Sequence, residues 1–230
     1  MNKRVARVCA LVSLALVFAI HTHFSPHRQL LLFVVAGTND RSGHLDADTS
    51  ARCWRAVQLF RQAHSAAPGI NARTLTSGGV DPAGKTLHNF NPTTTPHWRY
   101  VTAELKRFGM VSEDIISPGI PALYTVHEAL MVHDYLAAMP TRTLIDVVVV
   151  VTAFHTNRVR HLFSVAFQSP ELSHVSANLK FEEVPNKVGG DWLNNRTRHE
   201  AAALHQLSTH PSGPWEAFVS RHGLQAANLG

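Results

Sequence analysis

The feature that most restricts the fold is a run of five consecutive valines at residues 147–151, within a largely apolar segment at residues 144–152. Valine is branched at its β-carbon and favours extended backbone, so the segment is predicted to be a strand. No polar residue alternates with the valines, and neither face of the strand can therefore be exposed to water. A strand covered on both faces is typical of a parallel sheet packed between helices, which indicates an α/β chain.

The rest of the chain alternates between short apolar runs and segments with helical spacing. Apolar runs closed by glycine or turn residues predict four further strands, at residues 30–36, 74–77, 114–116 and 178–184. Apolar residues at helical spacing predict helices near residues 48–64, 98–108, 125–139, 159–166, 191–207 and 214–226. We therefore expect a mainly parallel sheet of about five strands, covered by helices on both faces. This α/β domain is predicted to span residues 29–207, followed by a C-terminal helical tail at residues 208–230.

Residues 1–24 have the profile of a signal-anchor or a signal peptide. Lys3, Arg4 and Arg7 precede an apolar run at residues 8–20, which is the charge-then-apolar order of such segments. Because no small-residue cleavage site follows, we expect an uncleaved single-pass anchor, with the domain on the non-cytoplasmic side of the membrane. A cleaved signal, which would make the protein secreted or lumenal, and a buried first helix of a soluble protein are the alternatives.

Composition argues against several function classes. The 21 Lys and Arg residues against 16 Asp and Glu residues give a net charge of only +5, and no run of five basic residues occurs, so nucleic-acid binding is not expected. Two cysteines are too few for a disulfide scaffold or a four-thiolate zinc site. The 16 histidines are scattered, and no HExxH motif accompanies them. His127 and His133 are not four residues apart, and His97, His155 and His161 lack a second histidine or a carboxylate at the helical spacing of metal ligands. The sequence therefore predicts no metal site.

Polar residues follow four of the predicted strands at the point where each strand ends. The carboxyl ends of parallel strands meet at one edge of a sheet, where open α/β sheets bind their ligands. We therefore expect these residues to line a single crevice, with residues 80–96 as a flexible lid. Turn chemistry or helix capping is the alternative for each residue taken alone. The four groups are Gly37-Thr38-Asn39-Asp40, Ser77-Gly78-Gly79, the loop into Thr125, and Thr152-Ala153-Phe154-His155.

The residue types in these groups suit an anionic ligand. The Ser-Gly-Gly group can offer backbone N–H groups to an anionic oxygen. His155 and Arg158 lie three residues apart at the start of a helix and share a face near its positive end, which favours phosphate, pyrophosphate or carboxylate. His155 is also a candidate general acid or base, with Asp40 to orient it. Asp46 and Asp48 are alternatives to Asp40, or a loop residue and a helix cap.

One known family carries these motifs in the same order along the chain. They are Gly37 with Asp40, Arg52, Ser77-Gly78-Gly79, Thr125, and Val151-Thr152-Ala153-Phe154-His155 with Arg158. On these motifs, which span about residues 30–167, the chain resembles the YdcF/SanA/ElyC-like proteins of the domain of unknown function 218. The resemblance implies a Rossmann-like three-layer sandwich and a single N-terminal membrane segment. It also implies that Arg52 and Thr152 belong with the other motif residues to a ligand-binding site.

The same resemblance implies a role in envelope or peptidoglycan-precursor metabolism, and one branch of the family binds S-adenosylmethionine. His97 stands where family members have an acidic residue, and the Thr125 motif continues to His127-Glu128 where the family commonly has a Glu-Asn pair. We expect a membrane-anchored enzyme acting on an anionic, phosphorylated small molecule or a lipid-linked precursor. The alternatives are a non-catalytic module for a nucleotide-like ligand such as S-adenosylmethionine, and an anchored interaction protein with a degenerate site.

Overall fold

A computed structural model describes residues 28–81, 91–210 and 212–222. The predicted anchor at residues 1–24 lies outside the described residues, as does most of the predicted lid at residues 80–96. Among the described residues, no helix is both long enough and apolar enough to cross a membrane.

The core of the molecule is one five-stranded sheet in which every neighbouring pair of strands is parallel. The strand order is β3-β2-β1-β4-β5, so the chain builds outward from β1 on one side and then crosses to the other side at β4. The prediction of an α/β fold with a parallel sheet of about five strands is confirmed, and the strand order is that of Rossmann-like folds. The strands are β1 (Arg28–Val34), β2 (Asn71–Ser77), β3 (Ile115–Ile120), β4 (Thr143–Thr152) and β5 (Val175–Val184).

Within the described residues, six α-helices connect and follow the strands. They are α1 (Ala47–Ala66), α2 (His97–Arg107), α3 (Thr125–Ala137), α4 (Thr156–Ala166), α5 (Gly190–Thr209) and α6 (Gly213–Arg221). Helices α1 and α2 cover one face of the sheet, while α3, α4 and α6 cover the other, which gives three layers.

The valine run lies in β4, and both of its faces are covered. Val147, Val149 and Val151 pack into the core formed with α3, α4 and α6. Val150 packs into the core on the side of α1 and α2, and the partly buried Val148 packs beside it against α1. Because all five side chains contact apolar neighbours, the expectation of a strand covered on both faces is confirmed.

The last described helix is part of this core. Trp215 in α6 is fully buried, and Phe218 and Val219 lie on the same stripe at helical spacing. These side chains pack with α3 and the rest of the core on that face of the sheet. Residues 213–221, which the sequence places in a tail, therefore contribute to the buried interior.

Candidate functional site

A pocket of about 220 Å³ opens at the carboxyl edge of the sheet, where β1 and β4 lie side by side and their connections leave in opposite directions. This switch point is where open α/β sheets bind ligands. The loops after β1, β3 and β4, the first turns of α1 and α3, and one face of α5 form its walls. The polar residues of the lining are Thr38, Asp46, Asp48, Arg52, Thr125, Glu128, His155, Arg158, Arg196, His199 and Glu200.

The buried guanidinium of Arg52 lies at the base of this pocket. Its Nε donates to the carbonyl oxygen of Val35 (3.1 Å), at the end of β1. Its Nη1 donates to the hydroxyl of Thr152 at the end of β4, and its Nη2 donates to the hydroxyl of Thr49 (3.0 Å). One side chain of α1 therefore bonds to both strands that flank the switch point. Thr152 accepts a hydrogen bond from Arg52 and does not itself line the pocket.

The carboxylate that faces Arg52 belongs to Asp46, the N-cap residue of α1. Asp46 accepts hydrogen bonds from the backbone N–H and the hydroxyl of Thr49 (2.7 and 2.6 Å). It accepts two more from the backbone N–H and the hydroxyl of Thr38 (both 2.7 Å). Burial alone would raise the pKa of Asp46, but the charge of Arg52 and the bonds from Thr49 and Thr38 outweigh burial and lower it.

Asp40 lies outside this pocket, contrary to the expected crevice geometry. Its side chain is exposed, and its carboxylate accepts from the backbone N–H groups of Ser42 (2.8 Å) and His44 (2.9 Å). The chain turns back at this point, with Asn39 and Leu45 forming an antiparallel bridge. The loop therefore points Asp40 away from the sheet edge and brings Asp46 to it.

Gly37 is required for the close approach of the β1 loop to α1. A Cβ atom at Gly37 would overlap both the Thr49 hydroxyl and the Arg52 guanidinium. The backbone N–H of Gly37 donates to Nε2 of His97 (3.2 Å), and Nδ1 of His97 lies 2.7 Å from Oδ1 of Asn39. Burial, assisted by the charge of Arg52, lowers the pKa of His97 to about 4. His97 is therefore a neutral, structural residue where the family resemblance predicts an acid.

The Ser77-Gly78-Gly79 group lies beside the pocket but not in its lining. The N–H groups of Gly78 and Gly79 donate to the carbonyl oxygens of Ile120 (2.9 Å) and Ala122 (2.7 Å). These donors were expected to bind an anion, but they hold the loop that leads into Thr125. The reason is the strand order, since β2 pairs with β3 and is separated from β4 by β1.

Thr125, His155 and Arg158 meet in the pocket. Nε2 of His155 lies 3.1 Å from the Thr125 hydroxyl and 3.2 Å from Nη2 of Arg158. A guanidinium can only donate, so Nε2 is the acceptor in the latter bond and carries no proton. Burial, with the positive charges of Arg158 and Arg52, lowers the pKa of His155 well below its ordinary value. His155 is therefore a neutral imidazole with its basic nitrogen in the pocket.

Helix α5 supplies a wall that the sequence did not indicate. Glu200 accepts two hydrogen bonds from Arg158, one from Nε (2.7 Å) and one from Nη2 (3.0 Å). Arg196 lies over the ring of Trp192 (5.3 Å to the centroid), and no carboxylate pairs with it in the part of the chain that the structure describes. The sequence does show that Arg196, His199 and Glu200 are spaced i, i+3, i+4 and so share one helix face, but not that this face lines the pocket.

Glu128 is a buried carboxyl in the first turn of α3, one turn after Thr125. Its Oε1 accepts from the backbone N–H of Ala36 (2.7 Å). Burial raises the pKa of Glu128 to about 7, although the Ala36 N–H, the nearby Ser77 hydroxyl and the charge of Arg52 oppose the rise. Glu128 therefore changes its protonation state near neutral pH, in the same pocket as the neutral His155.

Replacing Glu128 by Gln should change how stability depends on pH. The folded state holds its proton up to about pH 7 and the unfolded state only up to about pH 4.5, so wild type loses stability as pH rises between these values. Glutamine does not titrate, and the nearby hydroxyl of Ser77 can accept from its amide. In urea unfolding, the free energy of unfolding of Glu128→Gln relative to that of wild type should therefore rise by roughly 2–3 kcal/mol between about pH 5 and pH 8.

Glu104→Gln is the matched control, because hydrogen bonds from Arg107 lead the effects that lower the pKa of Glu104. Glu104 is then ionised in both the folded and the unfolded protein over this pH range. The difference in free energy of unfolding between Glu104→Gln and wild type should therefore stay constant. A Glu128→Gln profile parallel to that of wild type would contradict the raised pKa of Glu128.

Comparisons of the chain with protein-family models, with curated proteins and with solved structures found no match. Membership of the YdcF/SanA/ElyC-like family therefore stays a prediction from the motifs. The pocket itself is described by its geometry: a switch-point cleft containing a neutral histidine, a carboxyl that titrates near neutrality, and one arginine without a carboxylate partner among the described residues.

Proposed function

We propose that the protein is an enzyme that binds an anionic, phosphorylated small molecule in the switch-point pocket and acts on it by acid–base chemistry. The observation that carries the proposal is the presence, in one pocket, of the Arg196 cation and the unprotonated Nε2 of His155. Among the described residues Arg196 has no carboxylate partner, so its charge is available to a ligand. Arg158 and Arg52, by contrast, already hold protein acceptors.

The start of α3 supports an anion next to Arg196. Tyr124 is the N-cap residue of α3, and its side chain makes no capping hydrogen bond to the first turn. The N–H groups at the start of a helix carry partial positive charge and commonly bind phosphate or carboxylate. Thr125 begins this helix, and Thr125 and Arg196 line the same pocket. The ligand's charged group therefore lies between α3 and α5.

His155 and Glu128 provide the acid–base pair. When a water or a hydroxyl of the substrate takes the place of Arg158 at the neutral Nε2 of His155, Nε2 accepts its proton. Glu128 keeps its proton until about pH 7 and donates it to a leaving group. Burial reverses the ordinary order of their pKa values, which is a common property of catalytic pairs.

Location and substrate class extend the proposal beyond the pocket. The charge-then-apolar order of residues 1–24 supports a single-pass membrane protein with its domain on the non-cytoplasmic side. The motif resemblance to YdcF-like proteins supports a lipid-linked precursor as a further class of anionic substrate. In that arrangement the anchor would keep the pocket close to the lipid carrier.

A second candidate function is non-catalytic binding of a nucleotide-like ligand such as S-adenosylmethionine. Aromatic rings at the pocket favour it: Phe154 and Trp192 pack edge to face with centroids 5.7 Å apart, and Tyr124 is half exposed. Such rings can stack on a flat heterocycle. This candidate needs no proton transfer, and His155 would serve only as a hydrogen-bonding residue.

Phosphate binding tests the anion site directly. Titration of the full-length protein with inorganic phosphate and with pyrophosphate, followed calorimetrically, should give a Kd that rises about tenfold in Arg196→Gln, since one charged contact is lost. Arg198→Gln is the matched control, because Arg198 lies on the same helix, is exposed, and bonds only to Asn194 and Asn195 of α5. Equal affinities in the two variants would contradict the assignment, and binding of S-adenosylmethionine alone would favour the second candidate.

Turnover separates catalysis from binding. For the phosphate compound that binds, His155→Ala should lower kcat by at least about 100-fold, because the general base is removed, while Kd changes only slightly. His205→Ala provides the control, since His205 is an exposed histidine of α5 outside the pocket. An unchanged kcat in His155→Ala would exclude His155 as the base.

A further inference from the structure

Three potential metal ligands from separate elements meet far from the switch-point pocket. They are His133 in the second half of α3, Glu171 in the short turn Pro170–Leu172 before β5, and His222 directly after α6. Nε2 of His133 lies 3.8 Å from one carboxylate oxygen of Glu171, and Nε2 of His222 lies 3.7 Å from the other. All three ligand atoms lie within 4.8 Å of one another.

Both histidine nitrogens are buried without a hydrogen bond. The side chains of His133 and His222 are 1% and 6% exposed, and neither Nε2 has a hydrogen-bond partner among the described residues. Nδ1 of His133 donates to the carboxylate of Asp134 (3.0 Å), so Nε2 is the nitrogen left to bind a metal ion. Two buried imidazole nitrogens that make no hydrogen bond within the described residues and face one carboxylate form a set of donor atoms for a cation.

We propose that His133, Glu171 and His222 bind a divalent metal ion, and that Zn²⁺ is the ion their chemistry favours. Two imidazole nitrogens and one carboxylate oxygen form a ligand set that zinc accepts, with the fourth position open to water. Zinc–ligand bonds of about 2.0–2.1 Å set tetrahedral ligand atoms about 3.3 Å apart. The three ligand atoms lie within 4.8 Å of one another, so an ion would draw them together by at most about 1.5 Å, a change within the reach of side-chain rotation.

The surroundings complete a zinc site. Asp134 on Nδ1 of His133 forms the carboxylate–histidine pair that orients metal-binding imidazoles. The ring of Phe218 packs edge to face against both imidazoles, with centroids 5.1 Å from His133 and 4.6 Å from His222. The side chain of Glu171 is 49% exposed, which gives an ion a route in from solvent. The carboxylates of Glu171 and Asp134 together balance a charge of +2.

The location gives the metal a structural role. Glu171 precedes the amino end of β5, whereas the pocket lies at the carboxyl edge of the sheet, so the two sites are at opposite edges. A bound ion would link α6 to α3 and to the turn before β5. Helix α6 carries the buried Trp215, and its attachment therefore contributes to the stability of the whole core.

The test is zinc binding to the full-length protein after treatment with EDTA. Calorimetric titration with ZnCl₂ should show one tight zinc per chain, and saturating zinc should raise Tm, because the ion binds only the folded state. Glu171→Gln and His222→Gln should each weaken zinc binding at least about tenfold, and Asp134→Asn about 10–100-fold. His210→Gln is the matched control, since His210 is an exposed histidine between α5 and α6, and it should bind zinc as wild type does.

Cobalt(II) provides a spectroscopic readout of the same ligands. Full-length protein loaded with Co²⁺ should show the strong visible absorption of a four-coordinate ion, and Glu171→Gln should lose it. Because Glu171 is half exposed, this variant keeps its core, and circular dichroism confirms that it is folded. Absence of a tight zinc, or zinc affinity unchanged in both Glu171→Gln and His222→Gln, would overturn the proposal.

Discussion

The buried guanidinium of Arg52 is the interaction on which the rest of the site depends. A buried charge is costly unless it is hydrogen-bonded, and each of the three guanidinium nitrogens of Arg52 makes one such bond, to Val35, Thr152 and Thr49. These partners lie at the ends of β1 and β4 and in α1, so satisfying the guanidinium also fixes the switch point. The positive charge of Arg52 also contributes to lowering the pKa values of Asp46, His97 and His155. One cation therefore holds the shape of the pocket, and it adds to the effect of burial that lowers the pKa values of His97 and His155.

Helix α3 connects the switch-point pocket with the histidine–glutamate cluster formed by His133, Glu171 and His222. Its first turn carries Thr125 and Glu128 at the pocket, and its second half carries His133 at the histidine–glutamate cluster. Between them, buried residues of α3 such as Val132 pack against the sheet. The arrangement follows from topology, because a helix that leaves the carboxyl edge of one strand must return to the amino edge of the next. A rigid, well-packed α3 holds both sets of polar residues at a fixed separation.

The sheet could be predicted because its signals are local, whereas much of the site could not. The valines of β4 and the i, i+3 relation of His155 and Arg158 are visible in the sequence, but residues 175–177 extend β5 beyond its predicted start by pairing with β4. Three acids follow β1, and after the turn at residues 40–44 the pocket is lined by Asp46 and Asp48 but not by Asp40. The contact of Glu200 with Arg158 and the cluster around Glu171 join distant segments of the chain, and no local spacing predicts such contacts.

Unfolding of Arg52→Lys in urea tests most directly whether Arg52 fixes the switch point. Lysine keeps the charge, but its three donors lie on one nitrogen and cannot span the acceptors that Arg52 reaches from three separate nitrogens, so we predict a loss of about 3 kcal/mol in the free energy of unfolding. Arg55→Lys is the matched control: Arg55 lies on the same helix and pairs with Glu182 at a partly exposed site, where the expected loss is under about 1 kcal/mol. Equal, small losses in the two variants would contradict the central role given to Arg52.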